Sequence, residues 1–335
     1  MRSVKQVFIT GSSRSGTTMM SRILNKHPHI LSLQELHFFN SLYVNSQSKL
    51  EKKEAEALLS RLLTIQSEGL FSKNSHVNNL KAEKLLNKNN NLNSIDVLKL
   101  FFQYNLTKSN SEIICEQTPS NIFYFQELLD VFPDSLILNM IRDPRDVMLS
   151  QKHKWKRRYL GAKKIPIYEV IRSYINYHPI LIAWFWNSSI LHYNKYAKNK
   201  HTMLVYFEKL LENPEEIISE ICRKINIDFT SEMMNIPNIG SSIKKDNIKY
   251  LGFDKSKIQQ WRSSDLKKAE IYICQLICGS QMKKHGYENK KFILPPFSLL
   301  LYIISFPIYL VISFLLNLNR SANIFRTIRK RFLIK

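Results

Sequence analysis

The run VFIT (Val7–Thr10) passes directly into GSSRSGTT (Gly11–Thr18), and a helical pattern starts at about Thr17. A strand that ends in a glycine-bounded loop and turns at once into a helix is a strong constraint on fold. The loop amides and the first turn of the helix then point at one spot, where an anion is held. Further apolar runs near 5–10, 29–33, 111–115, 135–141 and 202–207 read as strands. Helical patterns fill 17–26, 50–68, 121–131, 144–154, 167–198, 214–225 and 264–284. Strand–helix alternation of this kind predicts an α/β fold with a central, mostly parallel sheet flanked by helices. The stretch Ser72–Ser94 is rich in Asn and Lys and reads as an exposed loop or a weak helix.

Gly11 and Gly16 have the spacing of the nucleotide phosphate loop GxxxxGK[ST], so the layers are expected to be P-loop-like. Thr17 stands where that loop carries its lysine. A kinase or NTPase site for β/γ-phosphates is therefore the weaker alternative, and Arg14, inside the loop, is the replacement cation. A second phosphate element is SLILNMIRDPRDVMLSQ (Ser135–Gln151), in which Arg142 ends a strand and Ser150 follows eight residues later. A guanidinium at a strand end forks onto a phosphate, and a serine two turns along the next helix adds a hydroxyl. Asp143 and Asp146 fit as turn and cap residues.

Taken together, these segments resemble the sulfotransferases that use 3′-phosphoadenosine 5′-phosphosulfate (PAPS). GSSRSGTTMMSRILNKHP is similar to the loop of the protein-tyrosine sulfotransferases, and Glu35-Leu36-His37-Phe38-Phe39 to the ExHFF segment of the heparan sulfate sulfotransferases. Ser135–Gln151 resembles the family's 3′-phosphate segment. VYFEKLLENPEEII (Val205–Ile218) resembles its YExL…P segment, which puts Tyr206 near the adenosine; a strand-end aromatic of the core is the equal alternative. KIQQWRSSDL (Lys257–Leu266) and HGYE resemble its closing elements. The likeness covers residues 5–287, with 40–110 unmatched.

That resemblance implies sulfuryl transfer from PAPS, as donor substrate, to a hydroxyl or amine of a glycan, glycolipid or protein acceptor. Arg14, Ser15, Gly16, Thr17 and Thr18 would hold the phosphosulfate, and Arg142 and Ser150 the 3′-phosphate. Glu35 would be the base, with His37 as second candidate or as the group that orients Glu35 or the acceptor. Arg14 would stabilise the leaving phosphosulfate. A sulfuryl group carries less charge than a phosphoryl group, so no metal is required in principle, and the sequence offers no obvious metal cluster. ICEQTPSN (Ile114–Asn121) departs from the family's EKTP pattern: Gln117 replaces the lysine and brings a hydrogen bond but no charge. A catalytically weak PAPS-binding membrane protein is thus a further alternative.

The formal charge of +22 favours an anionic partner. No nucleic acid is expected, because no recognition motif or aromatic-interleaved basic ribbon is present. The cluster QKHKWKRRY (Gln151–Tyr159) would suit an anionic acceptor or a membrane surface, with Lys154 in reach of the nucleotide; a solvated basic face is the equal alternative. Cys115, Cys222, Cys274 and Cys278 show no metal spacing; Cys274 and Cys278, four apart on a helix, read as two small buried residues, and a reducing compartment fits. Residues 1–10 lack the pattern of a secretory signal.

Phe297–Leu316 is uncharged over 20 residues, with Pro307 near its middle. Lys283, Lys284, Lys290 and Lys291 precede it; Arg320, Arg326, Arg329, Lys330, Arg331 and Lys335 follow. Basic flanks on both sides, and a proline that can break the helix into halves, predict a re-entrant or interface-lying anchor on anionic lipid. The expected organisation is a sulfotransferase domain over 1–290, with 40–110 as a helical or loop insertion at the acceptor, and a membrane-anchoring segment and basic tail over 291–335. The expected location is the cytoplasmic face of a membrane, the inner membrane of a bacterium by its Lys/Asn/Ile-rich composition.

Overall fold

The computed structural model describes residues 5–43, 48–87, 91–318 and 329–330. Its centre is a sheet of β1 (Gln6–Gly11), β2 (Ile30–Ser32), β3 (Ile113–Gln117), β4 (Leu136–Ile141) and β5 (Thr202–Tyr206). The order is β2-β3-β1-β4-β5, and every pairing is parallel. A short antiparallel ribbon of β6 (Pro237–Asn238) and β7 (Asn247–Leu251) lies apart from it. All five parallel strands were anticipated, and an α/β fold with a parallel core follows from them.

The helices are α1 (Thr17–Leu24), α2 (Lys52–Glu68), α3 (His76–Leu86), α4 (Ser94–Ser109), α5 (Phe125–Val131) and α6 (Pro144–Lys152). There follow α7 (Ile167–Ile175), α8 (Pro179–Tyr196), α9 (Phe207–Glu212), α10 (Pro214–Ile225), α11 (Lys268–Lys284) and α12 (Leu299–Asn317). Side chains alternate across each strand, so the sheet feeds two cores. Phe8, Ile114 and Ile137 pack with Leu59, Leu62, Leu98 and Phe101 of α2 and α4. Val7, Ile9, Leu138 and Met140 pack with Ile23 and Leu24 of α1 and Ile218 and Ile221 of α10. A third core joins α6, α8 and α11 around Trp186, Trp261 and Cys278. All four cysteines are buried free thiols.

Several elements depart from expectation, each for a local reason. Residues 167–198 are two helices, because Pro179 opens α8 and holds His178 extended at φ −142°. Ser94–Ser109 is a full helix. Asn93 and Asp96 cap its first turn reciprocally, and Ile95, Leu98 and Phe102 give it a buried face. Asn/Lys-rich 76–86 is helical too, with Ser75 accepting from the Asn78 amide. The apolar C-terminal run is one helix that passes through Pro307 without breaking into two halves. A proline removes one N–H bond and kinks a helix, yet the turns on either side still pair internally. Arg320, Arg326, Arg331 and Lys335, cited for the basic tail, lie outside the described residues.

Candidate active site

The chain leaves β1 toward one edge of the sheet and, through β4, later passes to the other. The carboxyl ends of β1 and β4 therefore form a switch point, where open α/β sheets bind ligands. A cleft of about 1870 Å³ opens there. Single small-molecule sites run to roughly 300–1,000 Å³, so this one has room for two reactants.

The loop from Gly11 to Thr18 forms one wall. Gly11 has φ +133°, and a Cβ there would stand 2.3 Å from the Met140 carbonyl oxygen of β4. Gly16, at φ +95°, would drive a Cβ to 2.4 Å from the Phe207 ring. Both positions require glycine, and the bare backbone leaves the loop amides open to the cleft. Arg14 sits in the left-handed region at φ 74°, strain that non-glycine residues carry mainly at functional positions. Its Nε donates to Ser150 Oγ at 2.9 Å, and Nη2 donates to the Gly240 carbonyl at 2.8 Å and Ser242 Oγ at 2.9 Å.

Arg142 is stacked on Phe207, 4.5 Å from its centroid, and donates to the Lys257 carbonyl at 2.8 Å. Its buried Nε has no protein partner among the described residues. Burial first, then the charges of Arg157 and Arg142, push the Arg14 guanidinium down to about 10. Arg14 thus sits in the field of two further guanidiniums, of which Arg157 is paired with Asp246 at 2.8 Å, and a multiply charged anion would relieve the repulsion that remains.

The opposite wall carries Glu35 and His37, whose Oε1 and Nε2 are 3.2 Å apart. Burial alone would raise the Glu35 carboxyl. His37, Lys154 and Arg14 outweigh it and hold the group below the ordinary carboxylate range. His37 is itself at φ 53°, and its amide donates to Thr118 Oγ1 at 3.3 Å. Beneath it lies Glu116, 3% exposed, which accepts from the Leu36 amide, Thr118 Oγ1 and Asn121 Nδ2. Burial pushes Glu116 up to about 7. This carboxyl and Thr118 set the backbone from which Glu35 and His37 project. Gln117 lines the cleft, and its buried Oε1 has no protein partner among the described residues.

Arg14, Gly16, Thr17, Thr18, Glu35, His37, Arg142 and Ser150 thus share one cleft. Two sequence candidates do not line it. Ser15 is fully buried, and its hydroxyl has no partner among the described residues. The Tyr206 hydroxyl meets His285 Nδ1 at 3.1 Å, and its ring packs on the α6–α8–α11 core. The neighbouring Phe207 reaches the cleft instead, since successive side chains at a strand end point to opposite sides. Gly240 and Ser242 were not anticipated: the loop between β6 and β7 carries no periodic pattern, and only the fold brings it to Arg14. Among the described residues no group of three or more His, Cys, Asp or Glu could hold a metal.

Residues 6–231 match the profile of the Sulfotransferase family. The chain belongs to that family. A protein-tyrosine sulfotransferase of Drosophila melanogaster is 22% identical over 244 residues, covering 71% of this chain and 42% of that protein. The chain thus spans less than half the length of that relative. Two solved structures share the fold. The sulfotransferase domain of the Synechococcus PCC 7002 olefin synthase has TM-score 0.52 at 17% identity, covering 87% of this chain and 98% of its own. The sulfotransferase domain from the curacin biosynthetic pathway has TM-score 0.53 at 18% identity, covering 87% and 100%.

Proposed function

We propose that this sulfotransferase moves a sulfuryl group from PAPS to a hydroxyl or amine of a glycan, glycolipid or protein. The observation that carries the reading is the meeting of the Arg14–Arg142–Ser150 cluster with the Glu35–His37 pair across one cleft. The fit to the donor rests on the bare backbone at Gly11 and Gly16 and on the unpartnered Arg142 Nε. Arg142 and Ser150 take the 3′-phosphate. The amides from Gly16 to Thr18 and the hydroxyls of Thr17 and Thr18 take the phosphosulfate; the Ser15 amide, which donates to the Ser12 carbonyl, holds the loop. Arg14 shares its charge between the two.

The acceptor oxygen or nitrogen attacks sulfur in line, and the S–O bond to the bridging phosphate oxygen breaks. The acceptor proton passes to Glu35, which is ionised at neutral pH. Adenosine 3′,5′-bisphosphate (PAP) leaves, its new charge balanced by Arg14 and the loop amides. Gln117 offers a neutral hydrogen bond to the acceptor or the sulfuryl oxygens. A nucleoside triphosphatase is the weaker reading, because Thr17 replaces the lysine that would meet β/γ-phosphates. Calorimetry on the full chain in detergent decides between them: PAP binds at micromolar Kd or tighter, and ATP with Mg²⁺ gives no heat. A folded sample that ignores PAP removes this function.

His37 has a separate signature. It holds the Glu35 carboxyl down by charge and by hydrogen bond. His37→Ala therefore lets the Glu35 pKa rise, and the acid limb of the kcat/KM profile moves to higher pH. A limb that stays in place, or moves toward acid, would show that Glu35 is not the titrating base.

α12 is 19 residues long, and 18 consecutive residues of it have a mean hydropathy of 2.5. Its length and composition support a membrane anchor, and the lysines ahead of it favour the cytoplasmic face, here assigned to a bacterial inner membrane.

A further inference from the structure

The cleft does not end at the catalytic wall. It runs on between α7, α8 and α12, where Leu181, Ile182, Phe185, Leu310, Val311 and Phe314 line it. This arm is largely apolar, with the Arg172–Glu169 ion pair, Asn176 and Asn317 as its polar lining, whereas the donor end is built from arginines and hydroxyls. It meets the C-terminal half of a helix none of whose side chains is fully buried by the rest of the protein. α12 is nevertheless fixed in place. His178 packs among Tyr302, Phe306 and Tyr309 at 5.9, 5.3 and 5.1 Å, and Arg172 Nη1 donates to Asn317 Oδ1 at 2.7 Å.

Beside it, α7 turns Ile167, Tyr168, Ile171 and Tyr174 outward, each more than half exposed and all along one stripe. The segment leading into α7 carries the exposed Lys163 and Lys164, with Tyr159 60% exposed close by. An apolar helix, an apolar stripe and a rim of lysine and tyrosine together match a bilayer of anionic lipid, with the lysines at head-group level.

We propose that the arm holds the hydrocarbon chain of a lipid-borne acceptor, which enters sideways from the bilayer alongside α12 and presents its head-group hydroxyl to Glu35. The inference rests on the sulfotransferase reading and narrows its acceptor to an amphiphile. The two ends of the cleft divide the labour: fixed positive charge at the sheet edge takes the nucleotide, and the hydrocarbon-lined arm takes the tail. A free sugar or a protein tyrosine would leave the arm without a ligand.

The test uses the full chain in vesicles of phosphatidylethanolamine and phosphatidylglycerol, the latter carrying a diazirine at the end of one acyl chain. Light should crosslink the chain to Phe185 or Phe314, and dodecyl glucoside, but not glucose, should compete. Val311→Trp fills the arm and should cut labelling at these residues at least tenfold while PAP affinity stays within twofold. Labelling confined to the outward stripes of α7 and α12, or labelling that Val311→Trp leaves unchanged, overturns the proposal. PAP binding on the same samples separates the failures. If PAP binds and the arm stays unlabelled, only the lipid acceptor falls. If PAP does not bind the folded wild type, the sulfotransferase reading falls with it.

Discussion

Replacing Glu35 with glutamine lowers turnover by about 10²–10⁴-fold, the usual contribution of a positioned proton acceptor, and leaves PAP affinity within twofold. The substitution keeps the shape of the side chain and its hydrogen bond to His37 but removes the site for the acceptor proton. The fold should survive it, because the Glu35 side chain is 36% exposed and lies outside the buried cores. The check is incorporation of radioactive sulfur from labelled PAPS into membrane and glycan extracts, read beside PAP calorimetry. Incorporation within threefold of wild type would assign the base elsewhere, and His37 would be next. Loss of both incorporation and PAP binding would mean that Glu35 holds the donor rather than the acceptor proton.

What could be read along the chain was local. The loop Gly11–Thr18 and the pair Arg142 and Ser150 are short segments whose backbone path and residue types carry their own chemistry. The five parallel strands were legible because strands buried on both faces are continuous apolar runs. Less legible was whatever depends on packing. Tyr206 and Phe207 are adjacent aromatics at a strand end, and only the direction of the last strand residue decides that Phe207 meets Gly16 and Arg142. Ser242 reaches Arg14 from 228 residues away through a loop with no pattern of its own. Glu116 is next to Gln117 in the chain, but its burial under Leu36 and Thr118 comes from the pairing of β2 with β3. α4 is a different kind of omission: its caps and apolar spacing were present in the chain, hidden among asparagines and lysines.

Arg142→Ala weakens PAP binding by about 10–150-fold, equivalent to losing a charge-assisted hydrogen bond of roughly 1.5–3 kcal/mol. Such a loss counts as evidence for phosphate binding only if the fold survives, and Asp146 bears on that. Burial pushes this carboxyl up to about 6, and Arg142, 3.8 Å away, is the main charge pulling it down. Without Arg142 the Asp146 pKa climbs further. A carboxyl whose folded pKa exceeds its unfolded value binds protons more tightly in the native state, so stability falls as pH rises between those two values. For wild type that window closes near 6; for Arg142→Ala it extends upward. The variant should therefore lose more Tm relative to wild type at pH 8 than at pH 6, and PAP binding is best compared at pH 6. Arg142→Lys keeps a point charge without the fork and should fall between wild type and alanine in affinity. If alanine and lysine variants bind PAP as wild type does at a pH where both are folded, the 3′-phosphate lies elsewhere, and Arg14 with Ser150 becomes the pair to test.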